Sequence, residues 1–479
     1  MRVTLVETNN SSWELGLMLG NTGLDPLNLG YLGASVQDKH HVEIIQQRGE
    51  SLEQLADMVF ATKPDLVGYS CMTWSSPFAL KLAEIVKRKT GCINVGGGYH
   101  FSAIHESDVA DQVSGSTLDY IVLGEGEISF KELVNCLASK DDTKKVNGLA
   151  IIRDGNLTIT EPRTRIKNLD NLPWPIRKLR YMQGLVMHCA VPAPSKQKAI
   201  AQASYSRGCP HQCMYCASPT LWGKGVSFRS PENMVNELEY LQTEFGVNYI
   251  FFTDLTFNLN KKKVYELCDE IKKRKLKIGW SAMFRSDLDK GFFERIVRAG
   301  CNRGAFGIEA LEDSTLQSLG KPVTQKDLES VRIASSCGMF VRGYFILGWP
   351  EETGYIDKED YITKSLNGLK KYAQAGVDTL RMSFLTPLPG TPLYKECKEK
   401  GLLSTRDFRK LDSNKPVIRL EKLTPEDLVE ARERIFREFY KSEEYAHSVR
   451  TKMKGFPQLI EPYQEYFAEL SKHGITVKL

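Results

Sequence analysis

Residues 201–216 read AQASYSRGCPHQCMYC. The apolar run Ala201–Tyr205 predicts a strand. It runs into Ser206-Arg207-Gly208 and then a tight loop that places Cys209, Cys213 and Cys216 in C-x3-C-x2-C spacing. Thiolates are the standard ligands of iron–sulfur clusters. Three on one loop can hold three irons of a [4Fe–4S] cubane and leave the fourth iron without a protein ligand. An open metal position is where a cosubstrate binds, by the logic that separates catalytic from structural zinc. Zinc is the competing reading. A structural zinc wants four ligands, and His211 lies inside the loop, where reaching the same ion would be strained. Eleven cysteines, an odd number over 479 residues, do not make a disulfide framework. In a reducing compartment, clustered cysteines point to metal. Cys71, Cys92, Cys268, Cys301 and Cys337 stand apart from the cluster and read as packing residues.

Downstream, strand-like runs recur at Tyr249–Thr253, Lys277–Ala282, Arg303–Ile308, Phe340–Leu347 and Thr379–Phe384, with amphipathic helices between them. Six βα repeats make most of a TIM-like barrel, open on one side, whose site residues lie at strand C-termini. After Pro392 the chain turns charged and helical, with an amphipathic helix over Pro425–Phe439. Upstream, residues 1–140 also alternate. Strands are predicted at Arg2–Val6, Val42–Ile45, Asp65–Cys71, Cys92–Val95 and Tyr120–Leu123, and helices at Pro26–Val36 and Leu52–Phe60. Such alternation means a parallel, doubly wound, Rossmann-like sheet, whose ligands sit beyond the carboxyl ends of the strands. Those ends carry Asn9, Ser70, Gly97 and Gly124. Residues 141–195 break the rhythm. Leu149–Ile152 and Leu157–Ile159 read as a hairpin, and Leu172-Pro173-Trp174-Pro175 as a linker. The expected α/β organisation is therefore a Rossmann-like domain over 1–140, hairpin and linker over 141–195, a partial (β/α)6 barrel over 196–394, and a helical region over 395–479.

The formal charge of +5, from 64 basic and 59 acidic residues, is too small to argue for nucleic acid. The Lys261–Lys263 and Lys272–Lys277 stretches read as solvated helix faces. The N-terminus lacks the apolar core and cleavage site of a signal peptide. No stretch approaches the 18 apolar residues of a membrane span. The expectation is a cytoplasmic protein.

The cysteine loop, the strand before it and the aromatic Tyr215 just before the third cysteine resemble the radical S-adenosylmethionine (SAM) superfamily. That resemblance implies that the open iron chelates the amino and carboxylate groups of SAM. Reductive cleavage of the sulfonium then yields a 5′-deoxyadenosyl radical. The resemblance continues at later strand ends. Thr253–Phe257 is similar to the family's second-strand segment, where Asp254 would meet the SAM ammonium. Ser281–Arg285 resembles the third, with Ser281 near SAM and Arg285 forked onto its carboxylate. Gly307–Glu309 resembles the fourth, with Glu309 accepting from the ribose hydroxyls. Gly343–Glu351, which contains Gly348, resembles the fifth, where glycine lets the backbone approach adenine. Leu385–Leu393 resembles the turn after the sixth. Competing structural readings are an Arg285–Glu309 pair inside the barrel and Asp254 as a helix cap.

Residues 1–140 resemble the cobalamin-binding domain that precedes the barrel in one large radical SAM subgroup. That subgroup includes class B methyltransferases and anaerobic magnesium-protoporphyrin cyclases. The matching pieces are Pro26–Ala34, Gly97-Gly98-Tyr99-His100 and Gly124–Glu127. The implied cobalamin site comprises Asn9, Ser70, the 72–74 loop (Met72, Thr73, Trp74), Gly97, Gly98, Gly124, Glu125 and Gly126. One departure matters. Many cobalamin domains carry D-x-H-x-x-G after the first strand, and its His ligates cobalt. Here that place reads Glu7-Thr8-Asn9-Asn10. Asp38-Lys39-His40 begins similarly but precedes the second strand, with Glu43 where the glycine belongs. Cobalt would then have no His ligand, and the 72–74 loop would face its lower side. The competing reading packs Trp74 in the domain interface.

The leading implied function is methylation of an unactivated carbon, with SAM as both methyl and radical source. The alternative is a radical dehydratase, cyclase or rearrangement enzyme, with or without bound cobalamin. Implied partners are a small-molecule or peptide substrate and an electron donor such as flavodoxin or ferredoxin. The sequence does not select the substrate.

Overall fold

The computed structural model describes residues 1–8, 26–177, 199–311, 315–316, 324–350 and 355–477. The first half is a seven-stranded sheet in the order β2-β1-β3-β4-β5-β6-β7. Its strands are β1 (Arg2–Glu7), β2 (His41–Gln46), β3 (Leu66–Ser70), β4 (Ile93–Gly97), β5 (Tyr120–Val122), β6 (Leu149–Arg153) and β7 (Asn156–Ile159). The first five run parallel, in register Leu5↔Gly68 and Gly68↔Val95. Helices cover both faces. Val3, Leu5 and Val95 pack against Phe130 and Leu133 on one side. Val6, Val67 and Ile121 pack against Leu82, Val86 and Phe101 on the other. A parallel sheet buried on both faces explains why its strands read as continuous apolar runs.

The hairpin expected at residues 149–159 forms, but it is part of this sheet. β6 pairs antiparallel with β5 (Tyr120↔Ile151), and β7 adds a further antiparallel edge. The Pro-rich stretch after it is also docked rather than loose. Ile176 N–H donates to the Gly30 carbonyl at 3.0 Å. A Cβ on Gly30 would lie 2.7 Å from the Ile176 carbonyl, so only glycine admits that approach. Arg177 then reaches the second domain, pairing with Glu237 at 2.5 Å and donating to the Gln202 carbonyl at 2.8 Å.

The second half is a six-stranded parallel sheet in the order β15-β14-β13-β12-β11-β8. Its strands are β8 (Ile200–Ala203), β11 (Tyr249–Phe252), β12 (Gly279–Phe284), β13 (Cys301–Glu309), β14 (Phe340–Leu347) and β15 (Thr379–Phe384). Neighbouring strands are consecutive, β8 to β15 do not pair, and helices intervene, giving the open barrel that the βα count implied. A short antiparallel ladder, β9 (Ser206–Arg207) with β10 (Ser227–Phe228), closes the base of the cysteine loop.

The chain after Glu399 is helical only in part. Residues 400–424 are mostly irregular, and Phe408, Leu411 and Val417 pack back onto the core of the first domain. The helices Pro425–Lys441, Glu443–Gly455 and Ile460–Lys472 brace the last βα unit. Their anchor is Asp378, just before β15. It accepts from Lys452 at 2.5 Å, from the Val341 N–H at 2.6 Å and from the Tyr463 hydroxyl. No helix among the described residues is long and apolar enough to cross a membrane.

Candidate functional site

The cysteine loop leaves the barrel through Gly208, whose φ is 85°. A Cβ there would lie 2.4 Å from the Gly225 carbonyl, so glycine is required on both counts. Cys216 N–H donates to the Cys213 carbonyl at 3.0 Å, and Leu393 N–H donates to the Met214 carbonyl at 3.0 Å. The turn after β15 therefore holds the loop in place. The three thiols are half-buried. Cys216 is pushed above the usual thiol range by burial, with Ser218 opposing and Cys213 and Cys209 adding to it. They are close enough to act on one another. Among the described residues, no three Cys, His, Asp or Glu side chains converge as a ready chelate. The donor set fits a cluster by chemistry and placement: three free thiols on one loop, braced by the turn after β15.

Tyr215 packs edge-on to Trp349, ring centroids 5.5 Å apart. Burial raises its hydroxyl, and the Glu309 carboxylate to which it hydrogen-bonds raises it further. Glu309 ends β13 with φ of 69°, a left-handed conformation that costs a non-glycine residue energy and marks functional sites. The register between β13 and β14 slips there. Arg285 lies just past β12, where its backbone exchanges two hydrogen bonds with the Asn258 amide, at 2.9 and 3.2 Å. Its guanidinium has no partner among the described residues, so the Arg285–Glu309 pair does not form. Gly348 has φ of 82° and donates to the Tyr361 hydroxyl at 3.3 Å. A Cβ there would point at Leu428, so its glycine serves the packing of the C-terminal helices.

Two expected SAM contacts are placed elsewhere. Asp254 is 1% exposed, and its carboxylate is engaged inside the protein. It accepts from the Tyr205 N–H at 3.0 Å, the Ser206 N–H at 2.6 Å and the Ser206 hydroxyl at 2.5 Å. It positions the strand that leads into the cysteine loop. It is no helix cap either, since Asn260 caps the next helix by accepting from Lys263 N–H. Ser281 sits mid-strand on β12, buried opposite Phe251 and beside the Tyr249 hydroxyl, three residues short of the strand end.

A cavity of about 420 Å³ lies where the ends of β1, β3, β4 and β5 meet the ends of β8 and β11. Ser70, Met72, Trp74, Gly97, Gly98, Gly124, Glu125 and Gly126 line it from the first domain, and Gln202, Ser206, Arg207 and Thr253 from the barrel. Thr73 is buried away from it, and Asn9 lies outside the described residues. Ser70 accepts from the Asn28 amide at 2.6 Å. Gly98 is forced: its φ is 99°, and a Cβ would lie 2.6 Å from the Cys71 carbonyl. Gly97 is different. A Cβ there would meet only the Val122 carbonyl, at 3.6 Å, so its missing side chain leaves room in the cavity. No histidine is among the described residues lining the cavity. His40 contacts the N-terminal amine at 3.2 Å and Asn135 at 3.0 Å, at the start of β2. His100 is buried against Phe408 and bonded to Gln112 at 2.7 Å, and burial pushes it down to about 4.

Glu125 is drawn into an interdomain clamp that the sequence did not announce. Its carboxylate accepts from the Ile166 N–H at 2.8 Å and lies 3.6 Å from Arg207. Glu127 pairs with the same guanidinium at 2.7 Å. Arg207 also stacks over Tyr31 at 4.6 Å and Trp222 at 5.5 Å, and Trp222 donates to the Tyr99 hydroxyl at 2.7 Å. Arg207 stands two residues before Cys209, and this position was the one available signal. The clamp ties the cysteine loop to the first domain.

Two family models match the chain: Radical SAM superfamily over residues 203–360 and B12 binding domain over residues 21–134. An uncharacterized methyltransferase of Pyrococcus horikoshii is 31% identical across 92% of this chain and 92% of its own length. The anaerobic magnesium-protoporphyrin IX monomethyl ester cyclase of Synechocystis is 26% identical across 84% of this chain and 77% of its own. The cobalamin-dependent SAM radical enzyme OxsB, solved with aqua-cobalamin bound, aligns with a TM-score of 0.70 at 15% identity, covering 98% of this chain and 71% of its own. The radical SAM methyltransferase TsrM of Kitasatospora setae, solved with tryptophan and a SAM analogue, aligns with a TM-score of 0.67 at 19% identity, covering 83% and 76%. At these identities the two solved structures establish a shared fold.

Proposed function

The chain belongs to the radical SAM superfamily, in the branch that carries a B12-binding domain, and on that premise we propose that it methylates an unactivated carbon. Its cofactors are a [4Fe–4S] cluster, SAM and cobalamin. When bound, they supply an electron, a carbon radical precursor and a transferable methyl group. The protein's part is to hold and insulate them. Cys209, Cys213 and Cys216 would carry the cluster. Arg285, whose guanidinium has no partner among the described residues, would fork onto the SAM carboxylate, and Glu309 would accept from the ribose. Gly97, Gly98, Gly124 and the 72–74 loop would receive cobalamin, with no histidine on cobalt.

The observation that carries this reading is the shared cavity. The ends of β1, β3, β4 and β5 and those of β8 and β11 open onto it, and Arg207 and Gly208 bring the start of the cysteine loop to its wall, so a methyl carrier and a radical source would work side by side. Excluding water there protects reactive species. The Pyrococcus relative bears the name of a methyltransferase, which supports the same reading. The cyclase relative favours a second reading, in which the radical closes a ring or drives a dehydration. An electron donor such as flavodoxin or ferredoxin and a cytoplasmic setting fit either.

The test uses holoprotein under strongly reducing, anaerobic conditions with methyl-labelled SAM. Methylation requires that both S-adenosylhomocysteine and 5′-deoxyadenosine form and that label leaves SAM. Formation of 5′-deoxyadenosine without S-adenosylhomocysteine would replace methylation by the second reading.

A further inference from the structure

Buried arginines in this protein are mostly paired. Arg177 and Arg229 share Glu237, and Arg207 has Glu125 and Glu127. The interior face of β14 and β15 departs from this pattern. Val341, Phe345 and Leu347 of β14, and Leu380, Met382 and Phe384 of β15, belong to the outer core against the helices. Strand alternation therefore turns Arg342, Tyr344, Arg381 and Ser383 toward the barrel interior. Tyr344 and Arg381 are register partners.

Arg342 is buried and donates to the Thr379 hydroxyl at 3.3 Å. Its guanidinium stands 6.0 Å from the Tyr344 ring. Arg432 arrives from the helix Pro425–Lys441, over the Phe384 ring at 4.6 Å, and donates to the Asn414 carbonyl at 3.1 Å. Arg381 is in electrostatic range of both, and no hydrogen bond or ion pair to a described residue engages its guanidinium. Burial pushes it down to about 10, Tyr344 opposes that, and the charges of Arg342 and Arg432 add to it. An unpaired guanidinium beside two others is costly to keep out of water. Among the described residues, a neutral side chain in its place would lose no hydrogen bond or ion pair.

We propose that the barrel interior anchors the substrate by an oxyanion, a carboxylate or a phosphate, held by Arg381 and Arg342. A planar guanidinium fork matches both groups. In the register Gly307↔Tyr344↔Arg381, with Glu309 facing Phe345 past the slip, this anchor lies one register step below Glu309, roughly 3–4 Å at the usual rise along β14. The carbon to be modified would then lie above the anchor, toward the strand ends and the cysteine loop. This inference rests on the proposed function, whose substrate class it names.

The experiment titrates inorganic phosphate and, separately, acetate into reconstituted holoprotein at fixed ionic strength, by calorimetry and thermal shift. At least one should bind and raise the melting temperature, and the preference between them identifies the oxyanion. Arg381→Gln and Arg342→Gln should each weaken that binding by roughly tenfold or more, and Arg381→Lys by less. Without anion, Arg381→Gln should melt at or above the wild-type temperature, because a buried unpaired charge is removed. Absence of binding by both anions, binding unchanged in Arg381→Gln, or a lower melting temperature for that variant would each overturn the proposal. Wild-type SAM cleavage, measured on the same samples, separates this failure from failure of the functional reading.

Discussion

The two parallel sheets point their carboxyl ends at one cavity but finish those ends in opposite ways. The first domain ends its strands in small residues: Ser70, Gly97 and Gly98, and Gly124. The barrel ends two of its strands in charge and strain: Arg285 past β12 and the left-handed Glu309 on β13. The difference follows from what each edge would receive. A broad, flat macrocycle needs backbone that approaches closely over a wide area. A small zwitterion needs a few fixed charges. Arg207 joins the two edges: it is a barrel-side charge held by two carboxylates of the first domain.

The comparison is broken most completely at the cysteines. Replacing Cys209, Cys213 or Cys216 by Ala should abolish iron–sulfur absorbance and reductive SAM cleavage. Ser at Cys268 or Cys301, buried among barrel side chains, should leave both in place. A triple Ala variant that still cleaves SAM would refute the cluster assignment.

The first domain's edge is tested by Gly97→Val. The backbone tolerates a Cβ there, so the fold should survive while the cavity loses room. Cobalamin should no longer be retained on gel filtration, with cluster content intact. In the wild type, electron paramagnetic resonance of the cob(II)alamin form should lack superhyperfine splitting from an axial nitrogen, since no histidine is described in the cavity lining. Such splitting would restore a His ligand.

The junction is tested by Arg207→Met. It leaves Glu125 and Glu127 buried without their cation, which should cost about 3–5 kcal/mol of stability by chemical denaturation. A change below about 1 kcal/mol would mean that the clamp contributes little.

On the barrel edge, Arg285→Ala and Glu309→Ala should each weaken SAM binding by about 1.5–3 kcal/mol while sparing the cluster. Equilibrium binding that is unchanged in both would make these residues structural.

The smallest effect is one of pH and belongs to the first domain. Burial holds His100 near 4, below its ordinary 6.5, so it folds uncharged. Its stabilising contribution is present above pH 6.5 and is lost as pH falls toward 4. The loss between pH 7 and pH 5 amounts to about 2 kcal/mol. Denaturant midpoints of wild type and His100→Gln should diverge over that window. Parallel pH curves would remove His100 as the cause.

How much of this was legible in the sequence depends on how local each feature is. The cysteine spacing lies within eight residues and is read at once, whereas the left-handed turn at Gly208 appears only in the structure. The parallel strands of the first sheet read correctly because burial on both faces writes continuous apolar runs into the chain, and those of the barrel because one apolar face alternates with an interior one. The hairpin at 149–159 was also visible as a hairpin. Its membership of the first sheet was not, because antiparallel pairing of Tyr120 with Ile151 is a long-range choice of edge.

The residue types and their spacing determined by themselves that this chain builds two parallel sheets and a metal-ready cysteine loop, since those depend on periodicity and short separations. Tertiary structure alone decided what the charged residues do. Asp254 and Glu125 have the composition of ligand contacts. A buried carboxylate bonds to whatever donors packing brings near, and packing brought Ser206 to one and Ile166 and Arg207 to the other. Arg381 is the converse case. Nothing in its neighbourhood in sequence distinguishes it from a surface arginine, and only the barrel's register turned it inward, in range of Arg342 and Arg432 and without a carboxylate partner among the described residues.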